Sequence, residues 1–113
     1  MTRLALVLFT GIGLLVTGLA RADCAYPKEI TVPDGNTATE AEMKAAFADI
    51  KKYNADVESY LACMDEDEKK LGDTVTDEQK KLHVERHNAA VDALNAVAAR
   101  YNEQVQIFKK RAQ

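Results

Sequence analysis

Apolar residues recur every seven positions along two long stretches of the chain. A repeat of 3.5 residues is typical of helices that pack against each other along a narrow apolar seam. The sequence therefore predicts two long amphipathic helices. The first seam contains Met43, Ile50, Val57, Met64 and Leu71, with Phe47, Asn54 and Leu61 at the companion positions. The second contains Val84, Val91, Ala98 and Val105, alternating with His87, Leu94, Tyr101 and Phe108 and widened by Ala90 and Val97.

Capping signals stand at the ends of both repeats. Thr39 with Glu42, and Thr76 with Gln79, have the spacing of a capping box, in which each side chain bonds the backbone amide of the other residue. Gly72 follows the first repeat, at the position where a glycine commonly ends a helix. The two helices are therefore joined by only a few residues.

These boundaries predict helices over about 39–71 and 76–111, each roughly 50 Å long. Helices of nearly equal length with a short connection fold back on each other. We expect an all-α fold in which residues 39–113 form a long antiparallel two-helix hairpin. Two amphipathic helices enclose little core, so pairing of two hairpins into a four-helix bundle is a natural extension of this fold.

Residues 23–38 precede the hairpin and do not have a helical pattern. Pro27 and Pro33 favour extended backbone, and Asp34-Gly35-Asn36 is a turn signal. We expect an extended N-terminal segment with no helix.

The two cysteines, Cys24 and Cys63, allow one intramolecular disulfide, and an intermolecular bridge is the alternative. Cys63 lies roughly 36 Å along the first helix from Thr39. The 14 residues between Cys24 and Thr39 can span at most about 46–50 Å. The bond is therefore feasible if the segment runs straight back along the helix. We expect three of its residues to pack as a third layer beside the flank that contains Ala46, Tyr53 and Tyr60, namely Tyr26, Ile30 and Val32.

Residues 1–22 have the pattern of a cleavable secretory signal. Arg3 precedes an apolar run from Leu4 to Leu19, and Ala20-Arg21-Ala22 is the small-x-small pattern that precedes cleavage. The run is short for a membrane span of about 20 residues, although a retained anchor is the alternative. A lipid anchor on Cys24 is disfavoured, because the preceding Asp23 does not fit that signal. We expect export, most naturally to a bacterial periplasm, and no stable membrane anchor after cleavage.

Charge narrows the range of partners. Cleavage removes two of the 15 basic residues and none of the 18 acidic ones, so the formal net charge changes from −3 to −5. Nucleic acid is an unfavourable partner for such a chain, because binding its phosphates requires a basic surface. A protein partner, including a second copy of the chain, is the expectation.

The strongest candidate for chemistry is the pair His83 and His87. Histidines four residues apart share a helix face and can bind one metal ion, but the alternative is a solvated His83 beside a His87 at the edge of the core. The acidic run Asp65–Glu68 lacks the alternation of an EF-hand loop and is typical of a solvated helix face, with weak calcium binding as the alternative.

Two further seven-residue series suggest contact surfaces. Asn54 interrupts the first seam, and a buried asparagine can set the register of a coiled coil; solvation at the helix edge is the alternative. The asparagines of the second helix allow the same two interpretations. Alanines roughly opposite the first seam are either ordinary helix formers or a second helix-packing face. The asparagines of the second helix are Asn88, Asn95 and Asn102, and the alanines are Ala41, Ala48, Ala55 and Ala62.

No pattern for catalysis is evident. Ser59 is the only serine, and the sequence lacks a nucleophile elbow, a glycine-rich phosphate loop and a Cys-x-x-Cys pair. We therefore expect no enzyme activity and no cofactor. The leading hypothesis is an exported helical binding or structural module of the cell envelope that acts through protein contacts. The alternatives are metal or small-ligand binding by His83 and His87, and a periplasmic inhibitor or chaperone.

Overall fold

The computed structural model describes residues 24–113, which form two long helices and an extended segment before them. Helix α1 spans Glu40–Leu71 and helix α2 spans Asp77–Ala112, with a 3₁₀ turn at Gly72–Thr74 between them. The predicted all-helical hairpin is thereby confirmed. The predicted leader and its cleavage site lie outside the described residues.

The two helices run antiparallel. At the open end of the hairpin, the Tyr101 hydroxyl donates a hydrogen bond to the backbone oxygen of Met43 over 3.2 Å. At the closed end, Nε2 of His83 lies 3.1 Å from a carboxylate oxygen of Asp65. Residues late in α1 therefore meet residues early in α2, as the short connection requires.

Both predicted capping boxes form. Thr39 Oγ1 accepts a hydrogen bond from the Glu42 amide over 3.2 Å, and a Glu42 carboxylate oxygen accepts one from the Thr39 amide over 2.6 Å. The corresponding distances between Thr76 and Gln79 are 3.1 and 2.9 Å. Gly72 follows α1 with φ of 53°, a value that glycine adopts without the steric cost of a Cβ.

The most deeply buried side chains lie on one side of the apolar seam between the two helices. Tyr53, Val57 and Val97 are exposed by 2%, 1% and 1%, and they form the centre of the core cluster. Burial raises the pKa of the Tyr53 hydroxyl above its ordinary value, because the charged form loses solvation. The remaining members of this cluster are Tyr60, Met64 and Ala90.

Residues 24–38, which we call the strap, lie as a third layer on the hairpin. The Cys24–Cys63 disulfide, with Cα atoms 5.7 Å apart, ties the strap to α1. Tyr26 packs edge-on against Tyr60 with ring centroids 5.2 Å apart. Cys24, Ile30 and Val32 pack against the core cluster, so the predicted third layer is confirmed.

The other end of the strap is fixed to α2. The Thr37 and Ala38 amides both bond the backbone oxygen of Asp34, which closes the predicted turn. Within this turn, the Gly35 amide donates to Oε1 of Gln104. Arg111 donates to the backbone oxygens of Asn36 and Ala38, and Arg100 forms an ion pair with Glu29 over 2.9 Å.

The exposure of two predicted seam residues differs from the expectation. Phe47 is 48% exposed and Val84 is 55% exposed, although both belong to the heptad repeats. The strap buries the flank of the seam that bears Tyr53 and Tyr60, and nothing in residues 24–113 covers the opposite flank. Neither helix in this part of the chain has an apolar stretch long enough to cross a membrane.

Candidate functional site: the open face of the hairpin

The surface opposite the strap is an apolar strip shared by both helices, which we call the open face. On α1 it contains residues at seven-residue spacing, Phe47, Asn54 and Leu61; on α2 it contains Val84, Val91, Ala98 and Val105. Phe47 and Val84 are the most exposed of these, and the other members are half-buried. The strap contacts the other side of both helices and leaves the open face uncovered. Two further large apolar side chains, Tyr26 and Leu82, are exposed outside this face, in a cleft at the closed end.

The open end of this face contains a shallow cleft of about 310 Å³. Phe47 stacks on Tyr101 there, with ring centroids 6.1 Å apart, and Lys51 Nζ lies 4.7 Å from the Phe47 ring centre. Lys44, Lys109 and Glu40 stand at its rim, and Lys44 forms an ion pair with Glu40 over 2.8 Å. The cleft therefore combines an apolar floor with a border of mixed charge.

Asn54 lies in the middle of the α1 side of the face. Its side-chain amide donates a hydrogen bond to Glu58 over 3.0 Å, and the residue is half-buried. The predicted register residue is thus placed on an uncovered surface rather than against α2. Its role in alignment stays a prediction.

The other predicted contact residues lie around the face or away from it. The three asparagines of α2 are exposed and follow the edge of the open face, beside the valine series. The four alanines of α1 are also exposed, on the outer side of the helix. These residues are Asn88, Asn95 and Asn102 on α2, and Ala41, Ala48, Ala55 and Ala62 on α1.

His83 makes contacts that the sequence pattern did not predict. Its Nδ1 lies 2.9 Å from Glu68 and its Nε2 lies 3.1 Å from Asp65, both on α1. Both distances are within reach of an ion pair, which requires the protonated ring, because a neutral imidazole has a hydrogen on only one of its two nitrogens. The His83 side chain is 18% exposed, which places this group of one imidazole and two carboxylates between the helices near the closed end.

The metal hypothesis for His83 and His87 is constrained by this geometry. His87 lies one turn further along α2 and is half-buried. If both histidines bound one ion, the His83 ring would have to release at least one of its carboxylate partners. Shared binding of a metal by this pair stays a prediction.

A second group of potential ligand atoms surrounds the disulfide. The sulfurs of Cys24 and Cys63 and an oxygen of Asp67 lie within 4.8 Å of one another. Because the sulfurs are bonded to each other, neither is the thiolate that a metal site requires. The 3.4 Å separation between Cys24 Sγ and Asp67 is a van der Waals contact, since a disulfide sulfur has no hydrogen to donate.

The groove occupied by the strap continues beyond Cys24 as a cleft of about 570 Å³ at the closed end. Tyr26, Met64 and Leu82 give it apolar walls, while Asp67 and Arg86 bring opposite charges to its border. Asp67 also lies 3.5 Å from Lys70. With its charges mixed and partly paired, this cleft has no clear preference for one class of ligand.

The sequence did not predict the contacts between residues that are far apart along the chain. Gly35 and Gln104 are 69 positions apart, and Arg111 is 75 positions from Asn36. The only available signal was the turn motif itself, which predicts a bend but not what the bend contacts. Comparison of the chain with protein families, with curated proteins and with solved structures finds no match.

Proposed function

We propose that this chain is an exported, non-enzymatic module that works through protein–protein contacts, and that the partner on its open face is a second copy of the chain. The proposal depends on one observation. The hairpin leaves an apolar strip uncovered on the side away from the strap, with Phe47 and Val84 about half exposed. Exposed apolar strips of this kind commonly mark contact sites with proteins.

The order of residues on α1 supports a second copy as the occupant. Phe47 lies seven residues before Asn54, and Leu61 lies seven residues after it. This side of the face therefore has the same apolar-polar-apolar order when it is followed from either end. A two-fold contact between identical chains requires such self-complementarity.

Export is part of the proposal. The Cys24–Cys63 disulfide is a bond that persists in oxidising compartments and is rare in the cytosol. It agrees with the leader-like pattern of residues 1–22. Together they favour a secreted protein, with the bacterial periplasm as the location that we propose.

Substitutions on and off the open face test the proposal. Phe47→Gln and Val84→Gln each replace an exposed apolar side chain by a polar one that is compatible with a helix. Ala45→Gln makes a matched change at an exposed position on the opposite side of α1 from Asn54. We expect size-exclusion chromatography with light scattering to show weakened dimers for the two open-face variants and an unchanged dimer for Ala45→Gln.

Circular dichroism of each variant checks that the helices remain folded. Dimers as strong as those of the wild type in both open-face variants would refute the assignment of this surface.

A further inference from the structure

We infer that two copies pair antiparallel across the open face, about a two-fold axis that passes beside Asn54 of α1 and Asn95 of α2. This inference rests on the proposed function and adds the orientation and register of the partner. It depends on the charges beside the apolar strip and on the register of the hairpin.

The charges of α1 form a self-complementary series around Asn54. Lys51 precedes Asn54 by three residues and Glu58 follows it by four. In an antiparallel pair, Lys51 of one copy would therefore lie beside Glu58 of the other copy, and the two-fold axis makes this contact twice. In the same pairing Phe47 of one copy would meet Leu61 of the other.

The pattern continues toward both ends of α1. Lys44 lies ten residues before Asn54 and Asp65 lies eleven after it; for Glu40 and Lys69 the separations are fourteen and fifteen. Each of these pairs joins opposite charges across the axis. Within one copy Lys44 pairs with Glu40, and Asp65 lies beside His83. All three carboxylate and ammonium side chains are nevertheless more than half exposed, so a second copy can reach them.

The second helix has its centre at the same level of the hairpin. Phe47 stacks on Tyr101, and in an antiparallel pair seven residues forward on α1 correspond to seven residues back on α2. Asn54 is therefore level with Leu94, next to Asn95. Asn95 is the middle of the α2 asparagine series, so Asn88 of one copy meets Asn102 of the other. By the same symmetry, Val84 of one copy meets Val105 of the other, and Val91 meets Ala98.

The charge series of α1 and the asparagine series of α2 are thus centred at the same level of the hairpin. The fold by itself does not require these two centres to coincide. Asn54 lies at the two-fold axis, where a polar residue in an apolar interface fixes the register of the helices. The only like charges that approach each other on α2 are Lys80 and Lys109, at the outer ends of the strip. Solvent and salt screen their repulsion there.

The Lys51–Glu58 contact can be tested with two single variants. Lys51→Glu gives an α1 with two acidic residues at these positions, and Glu58→Lys gives one with two basic residues. Lys51 and Glu58 are seven residues apart on one helix, too far for an intrahelical ion pair, and neither has a charged residue three or four positions away. Each has one contact within its own helix, Lys51 over the Phe47 ring and Glu58 as the acceptor from Asn54, and the mixture does not restore either of them. Recovery of affinity in the mixture therefore reports contacts between copies.

We expect each single variant to raise the dimer dissociation constant about tenfold, because two attractive pairs become repulsive. An equimolar mixture should recover a dissociation constant within about twofold of the wild type, because each acidic side chain of one variant then faces a basic side chain of the other in the mixed dimer. Sedimentation equilibrium measures the dissociation constants of the wild type, of each variant and of the mixture. Asp92→Lys, on the outer side of α2 with no charge three or four residues away, is the control and should leave the dimer unchanged.

The outcomes separate the two levels of the proposal. In one outcome the wild type dimerises while the mixture stays as weak as the single variants, and in another the single variants dimerise as strongly as the wild type. Either result means that the antiparallel register is wrong and that the open-face dimer stands. If the wild type is monomeric at every concentration, the proposed function fails as well.

Discussion

The backbone amide of Gly35 donates a hydrogen bond to the side chain of Gln104 over 2.7 Å, and this contact fixes the strap to α2. A Cβ added at Gly35 would lie 2.2 Å from the backbone oxygen of Gln104. The turn can approach the helix this closely only because the residue is glycine. The strap is therefore fastened independently at its two ends, by a disulfide on α1 and by this close approach on α2.

Replacing Gly35 by alanine should force the turn away from α2. We expect Gly35→Ala to lower the free energy of unfolding by about 2–3 kcal/mol, since backbone atoms rather than a flexible side chain block the new methyl group. Thermal or chemical denaturation of the disulfide-bonded protein measures this loss. Thr31→Ala, at an exposed strap position, should cost less than about 0.5 kcal/mol. Equal stability of Gly35→Ala and the wild type would mean that the turn does not pack on the helix as described.

Arg111 makes the second attachment of the turn, through the backbone oxygens of Asn36 and Ala38. We expect Arg111→Ala to reduce stability by about 1 kcal/mol, because two charge-assisted hydrogen bonds at the surface are lost. The adjacent Lys110→Ala removes a similar charge without these contacts and should have little effect. Denaturation curves that rank the two variants equally would contradict this role for Arg111.

Reduction of the disulfide should free only part of the strap. Residues 24–32 lose their covalent tie to α1, whereas the turn at residues 34–38 keeps its contacts with Gln104 and Arg111. We expect far-UV circular dichroism to retain most of the helical signal at room temperature, while hydrogen exchange becomes faster in residues 25–32 more than in 34–38. Stability should fall by up to about 4 kcal/mol, the chain-entropy value for a loop of this length. Complete loss of helix under reducing conditions would show that the hairpin depends on the strap.

The heptad repeats were sufficient to predict the hairpin, and the proline-rich segment together with Cys24 and Cys63 predicted the strap. Both inferences depend on local periodicity, on caps such as Thr39 and Thr76, and on the reach of an extended chain. The repeats alone could not indicate which flank of the seam would be buried, but the position of Cys63 predicted that the strap would pack beside Tyr53 and Tyr60, and this is confirmed. That choice depends on the strap, which covers Tyr53 and Tyr60 and leaves Phe47 exposed.

The candidate site was only partly predictable. Asn54 and the α2 asparagines stood out by their spacing, but their position on an uncovered face follows from where the strap packs. The contacts of His83 with Asp65 and Glu68 join an acidic run to a histidine that the sequence presents as separate features. Long-range pairs of this kind depend on the exact register of the two helices, which periodicity alone leaves undetermined.

The two capping boxes should differ in their response to acid. The hydrogen bonds from the Thr39 amide and hydroxyl hold the pKa of Glu42 below its ordinary value. A carboxylate with a lowered folded-state pKa contributes stability above its unfolded pKa, and this contribution is lost as the pH falls through the folded value. The α1 cap should therefore weaken below about pH 4.5, whereas the α2 cap, which uses Gln79, should not.

Glu42→Gln isolates this effect, because glutamine also completes a capping box. We expect the wild type to be more stable than Glu42→Gln near pH 7 and this advantage to shrink between about pH 5 and pH 3. The reciprocal variant Gln79→Glu places a carboxylate in the α2 cap. This variant should therefore lose stability as the pH falls through the same range. Thermal midpoints across this range measure both effects, and a pH-independent difference between wild type and Glu42→Gln would contradict the assignment.

The central claim, that the open face is covered by a second copy, is tested most directly by the molar mass of the purified, disulfide-bonded wild-type protein in solution. Light scattering over a dilution series should give twice the mass of one chain at high concentration, falling toward the mass of one chain as the protein is diluted. The mass of a single chain at every concentration would contradict the account.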